Sequence, residues 1–192
     1  AEKVVTSVQH LEYAFANAFN TVSKEKQLKI AVIKGNDELP DILMADFIKE
    51  VRNNYFIGPF TLDSVAKNPV KTISELKKYD LAVIVKPQEK FTDEEKQVID
   101  QYIVSGGKTL FLIDQVHAEF DDLTETGSAF VAPNDLNLQD LFFKYGIRID
   151  PTIIKDERAI PIKLATGEQG SQTQYQDYLW KFSPFIYPES SH

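Results

Sequence analysis

The sequence offers one group of side chains with the donor atoms of a ligand site. Asp37 and Glu38 follow the first predicted strand, whereas Asp114, His117 and Glu119 follow the fourth. Asp114 and His117 stand three residues apart and are followed by carboxylates, a pattern that could bind a divalent metal or serve a metal-dependent hydrolase. The alternative is that these acids are simply solvated, since the chain has a formal net charge of −8.

The chain lacks the residues that several other kinds of enzyme site require. The chain has no cysteine, which excludes disulfides, thiolate metal sites and cysteine nucleophiles. The loop Gly35–Glu38 has one glycine and two acids, so it would repel a nucleotide phosphate. Lys86 ends the third predicted strand, where an aspartyl-phosphate site would need an acid, and no Gly-x-Ser-x-Gly motif occurs. We therefore expect no enzyme, no catalytic residue, no metal and no cofactor.

The stretch from Tyr79 to Asp114 predicts the unit that positions these loops. Leu81–Val85 is an apolar, β-branched run typical of a buried strand. Thr92 and Glu95 form a capping box that starts a helix, and Gly106 and Gly107 end it where a left-handed backbone is needed. Thr109–Ile113 is predicted to be a second buried strand. A strand, a helix and a strand in this order predict a parallel pair with a right-handed crossover.

Further strands and helices extend this unit into a sheet. Lys29–Ile33 and Tyr55–Leu62 are predicted strands. Gly58-Pro59 is predicted to interrupt the latter and to place it at or near an edge, because proline cannot donate to the ladder. The fold class is α/β, with a doubly wound, mainly parallel sheet of order 2-1-3-4 that resembles flavodoxin-like or glutamine-amidotransferase-like sheets. Its carboxyl edge would carry Asp37, Glu38 and Asp114.

The chain is predicted to comprise an N-terminal helix (1–23), an α/β domain (24–150) and a small β extension of the same domain (151–192). Thr152–Lys155 and Ala159–Leu164 are close enough to pair as a hairpin. Gly167–Gln176 is rich in Gln, Gly and Ser and predicts a flexible loop, and Tyr178–Tyr187 predicts a terminal strand broken by Pro184.

The N-terminal helix carries a narrow apolar stripe with heptad-like spacing. Its members are Val4, Val8, Leu11, Phe15, Ala18 and Val22. The stripe either lies on the domain's own sheet or forms an interface for a partner helix. In the second case Val8, Leu11, Phe15, Ala18 and Val22 are the interface residues.

Composition limits the partners. Of the 192 residues, 43% are hydrophobic, which is enough for one substantial core. The net charge of −8 and the lack of a large basic cluster argue against nucleic acid and against an anionic membrane surface. No apolar run approaches the roughly 18 residues that a membrane span needs.

The sequence resembles the GldG family, the auxiliary, substrate-binding-like proteins of an ABC transporter associated with gliding motility. The resemblance rests on LEYAFANAFN, KIAVIKGNDEL, YDLAVIVKPQEKFTDEEKQVIDQYIVSGGKTLFLID and NLQDLFFKYGIRIDP, and it spans most of residues 11–151. It implies a periplasmic domain of an inner-membrane protein whose permease and ATPase partners are other chains. The closing YPESSH looks like a point where family members continue towards a membrane anchor outside this fragment.

The favoured hypothesis is a non-enzymatic interaction domain in such a transporter complex, with a sheet edge, the N-terminal helix or the aromatic C-terminal stretch as contact surfaces. The heptad-like stripe suggests homodimerisation or pairing with a sister subunit. The alternative is a module that binds a saccharide or a metal ion at the rim formed by the loops after strands one and four. A metal-dependent hydrolase using Asp114, His117 and Glu119 is the third hypothesis.

Overall fold

A computed structural model describes residues 2–23, 27–62, 65, 67–118, 127–170 and 172–186, without the side chains of residues 2–9, 21 and 169. The chain divides into two compact units. The first is Ala1–Asp114 with Asn134–Ile149, and the second is Gln115–Pro133 with Asp150–His192. Every helix that the structure describes lies in the first unit, and the longest described strands lie in the second.

The first unit is built on a four-stranded parallel sheet flanked by helices. Its strands are β1 (Lys29–Lys34), β2 (Phe56–Thr61), β3 (Leu81–Val85) and β4 (Lys108–Leu112). Its helices are α1 (Glu2–Ser23), α2 (Ala45–Arg52), α3 (Pro69–Leu76), α4 (Asp93–Val104) and α5 (Gln139–Lys144). The spatial order is β2-β1-β3-β4, and all three pairings are parallel. The predicted α/β class and strand order are confirmed.

The two faces of the sheet carry separate apolar clusters. Ala31 and Ile33 of β1 are fully buried in the larger cluster, which also holds side chains of α3, α4 and α5. Ile30 and Val32 of β1 belong to the smaller cluster, against which α2 packs. Because successive strand residues point to opposite faces, β1 is apolar at each of its four central positions and so serves both layers. Helices on both faces are the doubly wound arrangement.

Among the described residues, strand β4 is covered on one face only, so the prediction of a buried strand holds for one face and is wrong for the other. Phe111 packs edge to face against Phe142 of α5, with ring centroids 5.1 Å apart. Leu110 and Leu112 point to the other face and are 40% and 49% exposed. The smaller cluster reaches from β2 to β3 and includes no residue of β4. An apolar run therefore predicted the strand correctly but not the number of layers that cover it.

Helix α4 begins and ends as predicted. The Thr92 hydroxyl accepts the Glu95 N–H at 3.2 Å, and Glu95 Oε2 accepts the Thr92 N–H at 2.8 Å. Gly106 has φ +94°, the left-handed conformation expected after a helix. Gly107 serves a different purpose, because an added Cβ would lie 2.4–2.5 Å from three ring atoms of Tyr102.

Strand β2 forms one edge of the sheet, as Gly58 and Pro59 predicted. The strand runs through both residues without interruption, and Pro59 lies opposite Val32 of β1. The sequence analysis was thus right about the edge but wrong about a break in the strand. Proline is accommodated because an edge strand needs donors on one side only.

The second unit contains two antiparallel pairs, β5 (Val116–His117) with β6 (Ala132–Pro133) and β7 (Ala159–Gln169) with β8 (Gln172–Pro184). The predicted hairpin between Thr152–Lys155 and Ala159–Leu164 is wrong, since β7 pairs with β8. The predicted flexible loop Gly167–Gln176 instead supplies most of the hairpin tip, with Gly170 at φ +68°. A longer ladder of backbone hydrogen bonds thereby replaces a short one.

Candidate functional site

The loop after β1 buries a carboxylate that the sequence offered as a ligand. Glu38 is 8% exposed. Its Oε2 accepts the N–H groups of Gly35 at 2.9 Å and Asn36 at 3.0 Å, whereas its Oε1 has no hydrogen-bond partner among the described residues. Burial raises the pKa of Glu38, although these backbone hydrogen bonds and nearby Lys34 oppose the shift. Glu38 therefore stabilises its own loop instead of facing an open rim.

Asn36 joins the loops that follow β1 and β3. It is 3% exposed, and its Nδ2 donates to the Lys90 carbonyl and to Glu95 Oε2, both at 3.2 Å. Its backbone carbonyl accepts the N–H groups of Gln88 and Glu89 at 3.0 Å. In sheets of this order, ligands enter the crevice between these two loops, where the winding direction changes. Here the chain's own amide occupies that position.

Sequence reasoning missed the role of Asn36. A single asparagine in a Gly-Asn-Asp-Glu turn gives no signal that its side chain will bridge to residues 54 and 59 positions away. Its Oδ1, like Glu38 Oε1, is buried without a hydrogen-bond partner among the described residues.

The other two predicted ligands in the first unit, Asp37 and Asp114, lie on the surface. Asp37 is exposed and has a left-handed backbone, φ +52°, and Lys86 has φ +47°. Asp114 is exposed, and its Oδ2 lies 3.9 Å from Lys86 Nζ. The residue that ends β3 therefore supplies a cation to the acid that follows β4, which partly neutralises the predicted acidic rim.

The remaining predicted ligands belong to the second unit. His117 is exposed in β5 and pairs with Ala132, and Glu119 lies outside the described residues. Within the part of the chain that the structure describes, no three His, Asp or Glu side chains are grouped so as to hold a metal ion. The described candidates therefore offer no assembled metal centre for hydrolysis.

Two ion-pair clusters between α4 and α5 were not predicted either. Lys96 is 8% exposed, and its Nζ lies 2.8 Å from Asp140 Oδ2 and 3.0 Å from Asp93 Oδ1. Burial lowers the pKa of Lys96, but the two carboxylates outweigh burial and raise it overall. The sequence does not predict the contact between Lys96 and Asp140, because the two residues are 44 positions apart.

The second cluster is centred on Asp100 of α4. Lys144 Nζ and the Tyr145 hydroxyl both donate to Asp100 at 2.7 Å. These two hydrogen bonds lower the pKa of Asp100, and burial with the nearby carboxylate raises the pKa of Tyr145 to about 12. Both clusters attach α5 to α4, and in each one the cation already has a carboxylate partner. Their role is structural.

The stripe on α1 is exposed wherever its side chains are described. Leu11 is 53% exposed, Phe15 55% and Val22 86%, and Ala18 is exposed as well. The side chain of Val8 lies outside the described residues. The described part of the stripe therefore does not pack on the domain's own sheet, which was one of the two alternatives.

Comparison with known proteins decides the family. A family model described as an ABC-type uncharacterized transport system matches residues 27–192. The chain belongs to this family. The matched region begins after α1 and includes the parallel sheet and the β7–β8 hairpin. A search of curated proteins finds no match to the chain.

Membership of the ABC-type transport system family makes the chain an auxiliary component of such a system. None of the helices described combines the length and the apolar character needed to cross a membrane. Among the described residues, two of the elements that carry several exposed apolar side chains bear on its function. These are α1 and the β7–β8 hairpin, where Tyr175, Leu179 and Phe182 are 66%, 56% and 49% exposed.

Proposed function

We propose that this chain is a non-enzymatic interaction domain of an auxiliary transporter subunit, and that permease and ATPase subunits are separate chains. The proposal places it on the periplasmic side of an inner membrane and links it to gliding motility, as the resemblance to the GldG family implies. Membership of a transport-system family supports the general role. The finer role is supported by surfaces that the domain leaves uncovered.

The observation that carries the proposal is the exposed stripe of α1. Positions 8, 15 and 22 alternate with 11 and 18 in a heptad pattern, which places them along one side of a helix. A helix of 22 residues is about 33 Å long, enough for three heptads. Large apolar side chains such as Phe15 are energetically unfavourable in water when left exposed, so a partner would stabilise them.

The partner we propose is a second copy of the chain. Between Val4 and Ser23 the sequence carries a single formal charge, Glu12. Two identical stripes can therefore approach each other with little like-charge repulsion, whereas helices that select a different partner generally carry several charges beside the stripe. The family match begins at residue 27, so the pairing is argued from the sequence and exposure of α1 and not from the family match.

Sedimentation velocity at micromolar concentration tests the pairing. We expect a dimer for the chain, and a monomer for the chain without residues 1–23 and for Phe15→Lys. Tyr13→Lys is the matched control, because Tyr13 is 65% exposed and lies off the stripe. A monomeric parent chain, or equal loss of the dimer in Phe15→Lys and Tyr13→Lys, would refute pairing through the stripe.

The alternative of a saccharide or metal module at the rim after β1 and β4 has less support. Glu38 is buried, Asn36 occupies the crevice, and Asp114 is paired with Lys86. No comparable feature of the described residues favours it.

A further inference from the structure

A second type of surface lies at the carboxyl end of β2. There a groove of about 510 Å³ runs between the end of the strand and α3. Its lining includes Phe60 and Thr61 from β2, and Lys67, Lys71 and Glu75 from α3 and the preceding turn. The volume lies within the range of small-molecule sites, and the carboxyl ends of parallel strands are where such sites occur in α/β sheets.

The groove is locally basic in a chain whose net charge is −8. Its acid, Glu75, is engaged by Lys78, whose Nζ lies 2.7 Å and 2.6 Å from the two carboxylate oxygens. That contact lowers the pKa of Glu75. Among the described residues, Lys67 and Lys71 form no ion pair. The lining therefore presents two ammonium groups and one carboxylate, which is paired with Lys78 and is also attracted more weakly by Lys71.

The start of α3 supplies little of the attraction, because its backbone donors at Lys71 and Thr72 are already used. Asn68 Oδ1 accepts the Lys71 N–H at 3.0 Å, and the Asn68 carbonyl accepts the Thr72 N–H at 3.1 Å and the Thr72 hydroxyl at 3.0 Å. The cap instead fixes the backbone from which Lys67 and Lys71 extend. Binding must then come from the two lysine side chains.

Phe60 gives the groove a rigid apolar wall. It is half-buried, and its ring packs edge to face on Tyr79 with centroids 5.8 Å apart. A ligand that fits this lining carries an anionic group for the lysines and a short apolar body for the phenyl ring.

We propose that the β2–α3 groove binds a small organic anion, with its carboxylate or phosphate group held between Lys67 and Lys71. This site is separate from the rim predicted from the sequence, and it does not depend on dimerisation through α1. The anionic group has two possible sources, a soluble acid or the headgroup of an anionic lipid, and both present the same chemistry to the lysines.

The test uses the full chain labelled with nitrogen-15. Inorganic phosphate, glucuronate and neutral glucose are titrated separately while amide shifts are followed. Vesicles of phosphatidylcholine, with and without phosphatidylglycerol, form the lipid arm and are assayed by co-sedimentation. The site variant is Lys67→Gln with Lys71→Gln. The control variant removes the same charge elsewhere, at two exposed lysines, with Lys77→Gln and Lys163→Gln.

We expect saturable shifts at Phe60, Thr61 and Asn68 with the anions but not with glucose, and affinity about tenfold weaker in the site variant, since two charge-assisted contacts are lost. The control variant should bind like the parent chain. Binding confined to phosphatidylglycerol vesicles and lost in the site variant supports the same site with a lipid headgroup as its ligand. Absence of binding in both arms, or equal weakening in the two variants, overturns the proposal.

Discussion

Replacing Gly107 by alanine tests the tight packing of the turn between α4 and β4 on the ring of Tyr102. The new Cβ would lie 2.4–2.5 Å from three ring atoms of Tyr102, far inside van der Waals contact. The ring cannot easily move, since Tyr102 is 1% exposed and its hydroxyl donates to the Tyr79 carbonyl at 3.1 Å. We expect a loss of about 2–4 kcal/mol, from overpacking of about 1–3 kcal/mol and a weakened hydrogen bond of about 1 kcal/mol.

Gly106→Ala is the matched control. Gly106 has φ +94°, and no atom lies within 4 Å of the Cβ it would gain, so its cost is backbone strain alone, about 1–2 kcal/mol. Urea unfolding followed by far-ultraviolet circular dichroism gives both free energies of unfolding. Amide exchange in α4 then shows whether the loss is local to this helix.

A double-mutant cycle isolates the contact. Tyr102→Leu removes the ring that meets the new Cβ, so Gly107→Ala should cost about 1–3 kcal/mol less in that background than in the parent chain. Additive effects, within about 0.5 kcal/mol, would refute the claim that this position needs glycine for space.

Two further substitutions test the buried acids. Glu38→Gln keeps an oxygen for the N–H groups of Gly35 and Asn36 but cannot ionise. The folded pKa of Glu38 lies above 4.5, so the parent chain loses free energy of unfolding as the pH rises through that pKa. The variant has no such loss. Urea unfolding should therefore show its stability increasing relative to the parent chain as the pH rises. A pH-independent difference would contradict this. Tyr145→Phe removes a 2.7 Å hydrogen bond to Asp100 and should cost about 1 kcal/mol at neutral pH. Since the folded pKa of Asp100 lies below 3.8, that cost should shrink as acid protonates Asp100, because a neutral carboxyl still accepts the hydrogen bond but without its charge-assisted part. A cost that is unchanged in acid would exclude the charge of Asp100 as its origin.

The sequence sufficed for features with local causes. The capping box of Thr92 and Glu95 and the left-handed Gly106 depend on neighbours a few residues away, and both are confirmed. The strand order followed from apolar runs alternating with helices, together with an edge strand marked by Pro59. Patterns of this kind show whether a segment must be buried or must lie at an edge, and the observed strand order meets these requirements.

The features that sequence analysis missed arise between distant segments. Asn36 and the Lys96 and Asp100 clusters depend on partners more than 40 residues away. The tip of the β7–β8 hairpin is polar on most positions, so it lacks the alternation that marks a half-buried strand, and its Gln-rich composition predicted a loop. The burial of Glu38 was not predicted either, because it depends on how the loops after β1 and β3 pack together.

Pro59 has a consequence for how the domain behaves when crowded. The N–H groups of Phe56 and Leu62 donate inwards, to the Leu28 and Lys34 carbonyls of the β1 side. Since successive residues of a strand point their donors to opposite sides, the N–H that Pro59 lacks would have pointed outwards. Pro59 therefore removes no hydrogen bond from the sheet itself. A strand that added to this edge would find no N–H donor at Pro59. Edge-to-edge pairing, the first step of amyloid-like growth, is thus disfavoured at β2.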